Sequence, residues 1–489
     1  MTHTTAVNIG AAVARWLAIT CVALALTVTL PAQPAISVPN PAVTGPIPAT
    51  AAPGDPSHAY PFFATDIDLE SLGYLEEEYF FEGTANTYDV NPAVSKLDTA
   101  VVTGSGYPYR TRMIVRRPVS AEDFNGTVLM EWQNVTAGYE PDALWLASRD
   151  HLIRRGYAWI GVSAQRAGVH TAGLGLRAWS ATRYGTLDLT DGGAITTDGL
   201  CWDIFSQAAQ AVRHPEGVDP MGGLPVDRVL AVGWSQSAIR LVSYHNSIHP
   251  LAHVFDAFGL IGVDGKVLMP LRTDLDVKVL KVQPETNVAG NSVAISQALL
   301  RPLEPATDHF RRWEVAGAAQ LGYHEAQEAA PLQARDLPPA APVTCDSAPL
   351  SRIPWHFVVN SAYDHIVDWV THDVEPPVGL DIEVASLDKI SLLARDSFGN
   401  ALGGIRLSQH DVPTATNTGL NTPATTFCRY LGSSVPFDQA TLDALYPNHG
   451  TYVRQVTHVT QGNVGAGFIV REDATVTIEA AAKSDIGGR

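Results

Sequence analysis

From about Gly73 onward, short apolar runs alternate with segments that have helical spacing. The apolar runs are bounded by turn-forming residues and are short enough to be buried strands, whereas the helical segments repeat apolar side chains every three to four positions. The pattern predicts strands in YLEEEYFFEGTANTY, YRTRMIVRRP, GTVLMEWQNV, YAWIGVSAQ, RVLAVGW, HVFDAFGLIG, DVKVLKVQ and RRWEVAG. It predicts helices in PDALWLASRDHLIRRG and CWDIFSQAAQAVR.

The order of these segments predicts the fold class. Near-continuous apolar strands that alternate with helices are typical of a mostly parallel sheet with both faces covered. Antiparallel strands at the start and parallel strands later fit the α/β-hydrolase fold, an α/β fold whose central sheet is flanked by helices. Residues 58–318 are predicted to form this core, with an irregular insertion at 166–200. Residues 319–489, Pro-rich and then helical, are predicted to pack on the core as a C-terminal region that can help to cover the site.

One short segment, Gly233-Trp234-Ser235-Gln236-Ser237, lies between a predicted strand and a predicted helix. A sharp strand-to-helix turn strains its central residue and pushes that side chain clear of the sheet, as in the G-x-S-x-G motif of serine hydrolases. Here a serine replaces the second glycine. We predict that Ser235 is a nucleophile; the alternative is an ordinary helix N-cap.

A serine nucleophile needs a base and a group that orients the base. In this fold the chain order is serine, acid, histidine. Glu285 is the first carboxylate after the second strand beyond the serine turn, and Asp264, after the preceding strand, is the rival acid. His324 is the only histidine in AAQLGYHEAQE, which follows the last predicted strand. We therefore predict Glu285 as the acid and His324 as the base.

The same turn predicts one half of an oxyanion hole. The N–H of Gln236 lies at a predicted helix start, where positive partial charge stabilises an oxyanion. The second donor is expected in the loop QNVTAGYE after the third strand. The backbone N–H groups near Asn134 and Val135 are the candidates.

Several longer segments resemble the secreted bacterial proteins called alpha/beta hydrolase domain-containing proteins. The resemblance covers about residues 70–480 and rests on GYLEEEYFFEGTANTY, VLMEWQNVTAG, RYGTL, WDIFSQAAQAVR, VGWSQSA, QPETNV, RRWEVAGAA and PNHGTYV. It implies a serine hydrolase with Ser235 in a G-x-S-Q-S elbow and Glu285 in an E-T-D-like motif. In that family a histidine closely follows W-E-V-A-G, as W-E-V-A-G-x-x-H, and Gln320 stands at this position here. Because glutamine is not a general base at neutral pH, either His324 replaces that histidine or this chain is catalytically impaired.

Composition excludes some partners. The chain has 489 residues, 46% hydrophobic and 17% charged, with a formal net charge of -18. That charge argues against nucleic acid and anionic membrane surfaces, since both attract Lys and Arg. No H-E-x-x-H, clustered Cys/His spacing or Gly-rich dinucleotide loop occurs in the sequence, so we expect no metal and no cofactor.

The first residues predict export. Arg15 precedes the apolar run WLAITCVALALTVTLPA, and small residues follow it. This pattern predicts a signal peptide over residues 1–35, and the apolar run is shorter than the roughly 20 residues that a membrane-spanning helix needs, so an anchor is the weaker alternative. A flexible linker is predicted at 36–57, and the expected location is outside the cell or in the periplasm or cell envelope.

Three cysteines follow the signal peptide. Cys345 and Cys428 lie in loop-like segments, and we expect them to form a disulfide, which export permits. Cys201 begins a predicted helix and is expected to be a buried thiol.

Together these features predict a secreted serine esterase that acts on a small-molecule or lipid-like ester through an acyl-enzyme. An acyltransferase or an amidase would use the same residues. A non-catalytic binding protein on a hydrolase fold is the alternative from another class, and Gln320 is the residue that favours it.

Overall fold

The computed structural model describes residues 37–90, 96–423 and 426–488. The predicted signal peptide therefore lies outside the described residues. In the described segments nine strands form one central sheet. The strands of this sheet are β1 (Ala42–Thr44), β2 (Tyr74–Tyr88), β3 (Val102–Pro118), β4 (Thr127–Trp132), β5 (Ala158–Val162), β6 (Arg228–Trp234), β7 (Ala257–Ile261), β8 (Lys278–Pro284) and β9 (Phe310–Val315).

The sheet has the predicted mixed topology. Its order is β1-β2-β3-β5-β4-β6-β7-β8-β9. The first three strands pair antiparallel, β3 pairs antiparallel with β5, and all pairs from β5 to β9 are parallel. Strands β4, β5 and β7 are buried along their whole length, as expected for parallel strands covered on both faces. The α/β fold predicted from the hydrophobic pattern is confirmed.

The helices flank this sheet. They are α1 (Ala143–Arg154), α2 (Arg166–His170), α3 (Leu176–Trp179), α4 (Ala181–Tyr184), α5 (Cys201–Arg213), α6 (Gln236–Ser243), α7 (His249–Ala252), α8 (Glu285–Ala289), α9 (Tyr323–Asp336), α10 (His356–His372), α11 (Ser408–Asp411), α12 (Gln439–Leu445), α13 (His449–Gly465) and α14 (Arg471–Lys483). A π-helical segment, Tyr244–Ile248, joins α6 to α7. Short 3-10 segments occur at Glu70–Leu72, Gln297–Leu303 and Phe427–Tyr430.

The predicted flexible linker differs from the structure. Strand β1, which lies inside the predicted 36–57 segment, pairs with Phe80–Glu82 of β2. The N–H of Ile47 continues this attachment by donating to the carbonyl oxygen of Glu78 at 2.7 Å. An edge strand forms only one row of ladder bonds, so it tolerates prolines that would disrupt a central strand. The Pro-rich segment that was predicted to be flexible therefore contains the edge strand of the sheet.

Helices and short strands of the C-terminal region contact the core. Helix α10 packs against β7, β8 and α1. This region also contains the two-stranded pairs β10–β11 (Val384–Ser386 and Leu392–Leu393) and β12–β13 (Ala415–Thr418 and Ser433–Pro436). The disulfide between Cys345 and Cys428 is present and Cys201 is a buried free thiol, so both cysteine predictions are confirmed.

The described segments contain helices of up to 17 residues. None of these helices is both long enough and apolar enough to cross a bilayer.

Candidate active site

The serine turn has the geometry that the sequence predicts. Strand β6 ends at Trp234, helix α6 begins at Gln236, and Ser235 between them has φ 59° and ψ -117°. A non-glycine residue in such a conformation costs about 1–3 kcal/mol and persists only where its surroundings hold it. The Ser235 N–H donates to the carbonyl oxygen of Ile261 at 2.9 Å, which ties the turn to β7. The Ser235 side chain is only partly buried, so it stays accessible.

Two small residues make this turn possible. A Cβ atom on Gly233 would lie 3.0 Å from both the carbonyl carbon of Ser237 and the Leu241 side chain, so only glycine lets strand and helix approach this closely. The Ser237 hydroxyl accepts a hydrogen bond from the Trp234 N–H at 2.9 Å and donates one to the Trp234 carbonyl oxygen at 3.0 Å. The serine that replaces the second glycine of the motif thus closes the turn with its side chain.

Asp264 lies directly against the serine. The Ser235 hydroxyl donates to Asp264 Oδ1 at 3.3 Å. Burial raises the pKa of Asp264 to about 6, while hydrogen bonds from the Tyr430 and Ser235 hydroxyls act in the opposite direction. The sequence identified Asp264 only as the rival acid, and the structure brings it to the hydroxyl itself.

Three amide side chains hold the loop that carries Asp264. The carbonyl oxygen of Gly262 accepts from Asn287 Nδ2 at 3.3 Å and from Gln320 Nε2 at 3.4 Å. The carbonyl oxygen of Val263 accepts from Asn287 Nδ2 and from Gln283 Nε2, both at 3.2 Å. The two residues that precede Asp264 are therefore fixed by β8, α8 and the segment after β9.

Gln320, the departure from the family pattern, is part of this arrangement. Its side chain is buried, and its backbone N–H donates to Thr286 Oγ1 at 3.2 Å. Its side-chain nitrogen reaches the Gly262 carbonyl oxygen, and its Oε1 atom has no hydrogen-bond partner among the described residues. Gln320 therefore lies next to the loop that aims Asp264 at the serine.

Glu285, the predicted acid, is placed differently from the prediction. Its Oε2 atom accepts from the Gly317 N–H at 2.7 Å. Its Oε1 atom accepts from Arg395 Nη2 at 2.8 Å, from Thr418 Oγ1 at 2.9 Å and from the Gly419 N–H at 3.2 Å. In the described chain none of these bonds goes to a histidine. They join the core to the C-terminal region.

His324, the predicted base, is in the first turn of helix α9 rather than in a free loop. Its Nε2 atom is 3.2 Å from the carbonyl oxygen of Ala147, and its ring stacks on that of His356 with centroids 3.6 Å apart. The helix turns this side chain toward α1. The structure thus brings His324 to neither Ser235 nor Glu285, because the segment that was expected to be a loop forms a helix.

The predicted oxyanion donors do lie together. Gln236 is the first residue of α6, where backbone N–H groups have no partner within the helix. The Val135 N–H is 3.5 Å from Gln236 Oε1. Asn134 Nδ2 donates to the Trp234 carbonyl oxygen at 2.8 Å, which fastens the β4–α1 loop to the serine turn. The side chain of Gln236 also donates to Gln165 Oε1 at 3.1 Å and so links the turn to the segment after β5.

The arrangement can support nucleophilic chemistry at Ser235. It combines a strained, accessible hydroxyl, a buried carboxylate in contact with it, and backbone donors beside it. Among the described residues no group of three or more His, Cys, Asp or Glu side chains is arranged to hold a metal ion. Sequence reasoning missed Tyr430, whose hydroxyl faces Asp264 from the C-terminal region, because its segment is more than 160 residues beyond the carboxylate in the chain.

Comparison with protein families identifies the chain. A family model described as alpha/beta hydrolase domain matches residues 43–479. The chain belongs to this alpha/beta hydrolase family. None of the curated proteins matches it significantly.

Solved structures of hydrolases match parts of the chain at low similarity. A serine hydrolase without a lid from Xanthomonas campestris is 15% identical, with a TM-score of 0.27, and the match covers 47% of this chain and 92% of that one. A putative acetyl xylan esterase from Bacteroides fragilis is 12% identical, with a TM-score of 0.22, over 38% of this chain and 44% of that one. The rice cell wall degrading esterase LipA from Xanthomonas oryzae is 15% identical, with a TM-score of 0.22, over 39% of this chain and 43% of that one. The matches span less than half of these two esterases.

Proposed function

We propose that this alpha/beta hydrolase is an exported serine hydrolase that cleaves carboxylic esters through an acyl-enzyme. The observation that carries the proposal is the conformation of Ser235, with φ 59° at the end of β6 and its hydroxyl 3.3 Å from a buried carboxylate. A strained position of this kind is kept where it serves function. Export rests on the predicted signal peptide at 1–35.

The proposed reaction uses the groups around the turn. The Ser235 oxygen attacks the carbonyl carbon of the ester, the alcohol leaves, and water then hydrolyses the acyl-serine. The N–H groups of Gln236 and Val135 would stabilise the oxyanion of each tetrahedral intermediate. The Val135 N–H lies 3.5 Å from the Gln236 side-chain oxygen. This N–H therefore points toward the serine turn, where the oxyanion would form. Asn134 would hold the donor loop in place.

The complete triad of Ser235, Glu285 and His324 stays a prediction. The hydrogen bonds of Glu285 and His324 give it no support, whereas the contact of Asp264 with the Ser235 hydroxyl supports a different assignment. The substrate class remains a small-molecule or lipid-like ester. An amide substrate or transfer to an alcohol other than water would use the same serine.

The first test is covalent labelling of the serine. A fluorophosphonate reacts only with an activated serine, so the wild-type protein is expected to be labelled at Ser235 and to hydrolyse p-nitrophenyl esters of graded chain length. Ser235→Ala should abolish labelling and lower turnover roughly a thousand-fold or more, because the nucleophile itself is lost. Retention of a tenth of the wild-type turnover by this variant would move the nucleophile elsewhere.

Ser243→Ala is the matched control. Ser243 is a buried serine at the end of the same helix, and its hydroxyl has no hydrogen-bond partner among the described residues. This variant should label and turn over as the wild type does.

A non-catalytic binding protein is the second candidate. Gln320 favours it, because this residue stands where the family's histidine is expected. If the wild-type protein neither reacts with the fluorophosphonate nor hydrolyses any ester of the series, the enzymatic proposal is wrong and the binding function takes its place.

A further inference from the structure

We infer that Asp264 is the general base of this site, accepting the proton of Ser235 directly without a histidine between them. The inference rests on the proposed serine chemistry and assigns the residue that activates the nucleophile. It departs from the serine–histidine–acid arrangement expected from the sequence.

Geometry is the first support. The Ser235 hydroxyl already donates to Asp264 Oδ1 at 3.3 Å, close to the range in which a general base takes a proton. In the described part of the chain no histidine nitrogen forms a hydrogen bond with this hydroxyl. The titratable group that forms a hydrogen bond with the Ser235 hydroxyl is therefore the carboxylate of Asp264.

Burial is the second support. An ordinary aspartate is a weak base, since its carboxylate holds a proton only in acid, and a general base works best when its pKa approaches the working pH. Asp264 is removed from water, and this burial raises its pKa to about 6. The Tyr430 hydroxyl, the Ser235 hydroxyl and the positive charge of Arg429 face the carboxylate and limit the rise.

The amide clamp around the Asp264 loop is the third support. Gln283, Asn287 and Gln320 donate to the two carbonyl oxygens that precede Asp264. A carboxylate held by its backbone in this way loses little freedom when the reaction begins. Gln320 thus helps to position the base by donating a hydrogen bond to the Asp264 loop. With Asp264 as the base, the site needs no histidine at position 320.

Ser235, Asp264, the ester and water account for every proton that moves in the reaction. As the Ser235 oxygen bonds to the carbonyl carbon, its O–H bond breaks and the proton passes to Asp264. The resulting carboxylic acid protonates the alcohol oxygen as the ester C–O bond breaks. In the second half, Asp264 takes a proton from the attacking water and returns one to the Ser235 oxygen as the acyl–oxygen bond breaks.

Asp264→Asn tests the assignment. An amide of the same shape cannot accept the proton, so kcat with p-nitrophenyl esters should fall by about 10²–10⁴-fold, the typical contribution of general-base catalysis. The matched control is Asp203→Asn. Asp203 lies on α5 with the same exposure as Asp264, 7%, and burial raises its pKa as well. The control should keep wild-type kcat.

Chemical rescue separates a base from a structural residue. Asp264→Ala removes the carboxylate, and formate added in solution should restore part of kcat, whereas chloride at equal ionic strength should not. In the wild type, kcat/KM should rise with pH through about 6, because only the ionised carboxylate accepts the proton. This rise should be lost in Asp264→Asn.

The outcomes distinguish this inference from the proposed function. If the wild type is labelled and active and Ser235→Ala is dead, but Asp264→Asn keeps more than a tenth of kcat, the serine hydrolase stands and the inference is overturned. The inference is also overturned if His324→Ala has no activity while Asp264→Asn is active. A third contrary result would be a sharp rise of kcat in Gln320→His that persists when Asp264→Asn is added. If the wild type is neither labelled nor active, both proposals are wrong.

Discussion

At the scale of single residues, burial rather than sequence position decides the chemistry of the carboxylates. Asp264, Glu131 and Glu285 all lie in or directly after strands of the sheet, yet each meets a different environment. Asp264 contacts the Ser235 hydroxyl, and Glu131 is desolvated inside β4. Glu285 accepts four hydrogen bonds, one of them within an ion pair with Arg395. The residue types were visible in the sequence, but the donors that surround them come from distant segments and were not.

Glu131 gives a prediction about stability and pH. Its carboxylate accepts from the Leu144 N–H at 3.0 Å and from Trp159 Nε1 at 2.9 Å, and burial raises its pKa to about 8. A carboxyl whose folded pKa is raised stabilises the protein at low pH, and this contribution is lost as pH rises through the folded value. We expect the free energy of unfolding to fall between about pH 5 and 8 in the wild type.

Glu131→Gln should reduce that fall, because the neutral amide keeps a similar shape and has no proton to lose. Urea unfolding of both proteins at pH 5 and pH 8 measures the difference. Glu122→Gln, at an exposed glutamate, is the control and should follow the wild type. Equal pH slopes for Glu131→Gln and the wild type would mean that Glu131 does not titrate in this range.

At the scale of elements, the hydrophobic pattern predicted the central strands well because their burial on both faces leaves a continuous apolar signal. Helix α5 matches its predicted segment from Cys201 to Arg213. Strand β1 was missed because prolines around it obscure the signal of an edge strand. The start of α9 at Tyr323 was missed because AAQLGYHEAQE has no strong start residue, and this one boundary decides where His324 points.

The β6–α6 turn carries a prediction of its own. Ser237 both accepts from the Trp234 N–H and donates to the Trp234 carbonyl oxygen. Ser237→Ala leaves the buried Trp234 N–H without its partner, whereas the Trp234 carbonyl oxygen keeps the bond from Asn134 Nδ2. An unsatisfied buried polar group costs about 1–3 kcal/mol. Urea unfolding should show a loss of stability of that order. Ser243→Ala on the same helix should cost less, and equal losses in the two variants would show that Ser237 does not brace the turn.

At the scale of the whole molecule, the C-terminal region is joined to the core through polar and covalent links as well as packing. Glu285 binds Arg395, Thr418 and Gly419 across more than a hundred residues of chain, and Tyr430 reaches Asp264 from the same region. The disulfide joins two cysteines of the C-terminal region that are separated by 83 positions in the sequence. The sequence indicated that this region packs on the core, but not that it contributes a side chain to the serine site.

The position of Glu285 between core and C-terminal region leads to the final prediction. Its carboxylate is fully buried and paired with Arg395 at 2.8 Å, and breaking a buried pair on one side costs about 3–5 kcal/mol. Glu285→Gln keeps the size of the side chain but leaves the Arg395 guanidinium and the N–H groups of Gly317 and Gly419 with a weaker acceptor. Since Arg395 is itself partly exposed, we expect a loss of stability toward the lower end of that range, seen as a lower urea midpoint. Turnover measured under conditions where the variant is folded should change by less than about tenfold, because none of the hydrogen bonds that Glu285 forms among the described residues goes to a histidine. Asp264→Asn should show the reverse, a small change in stability and a large loss of kcat. A Glu285→Gln variant that is as stable as the wild type but inactive would instead restore the predicted triad of Ser235, Glu285 and His324.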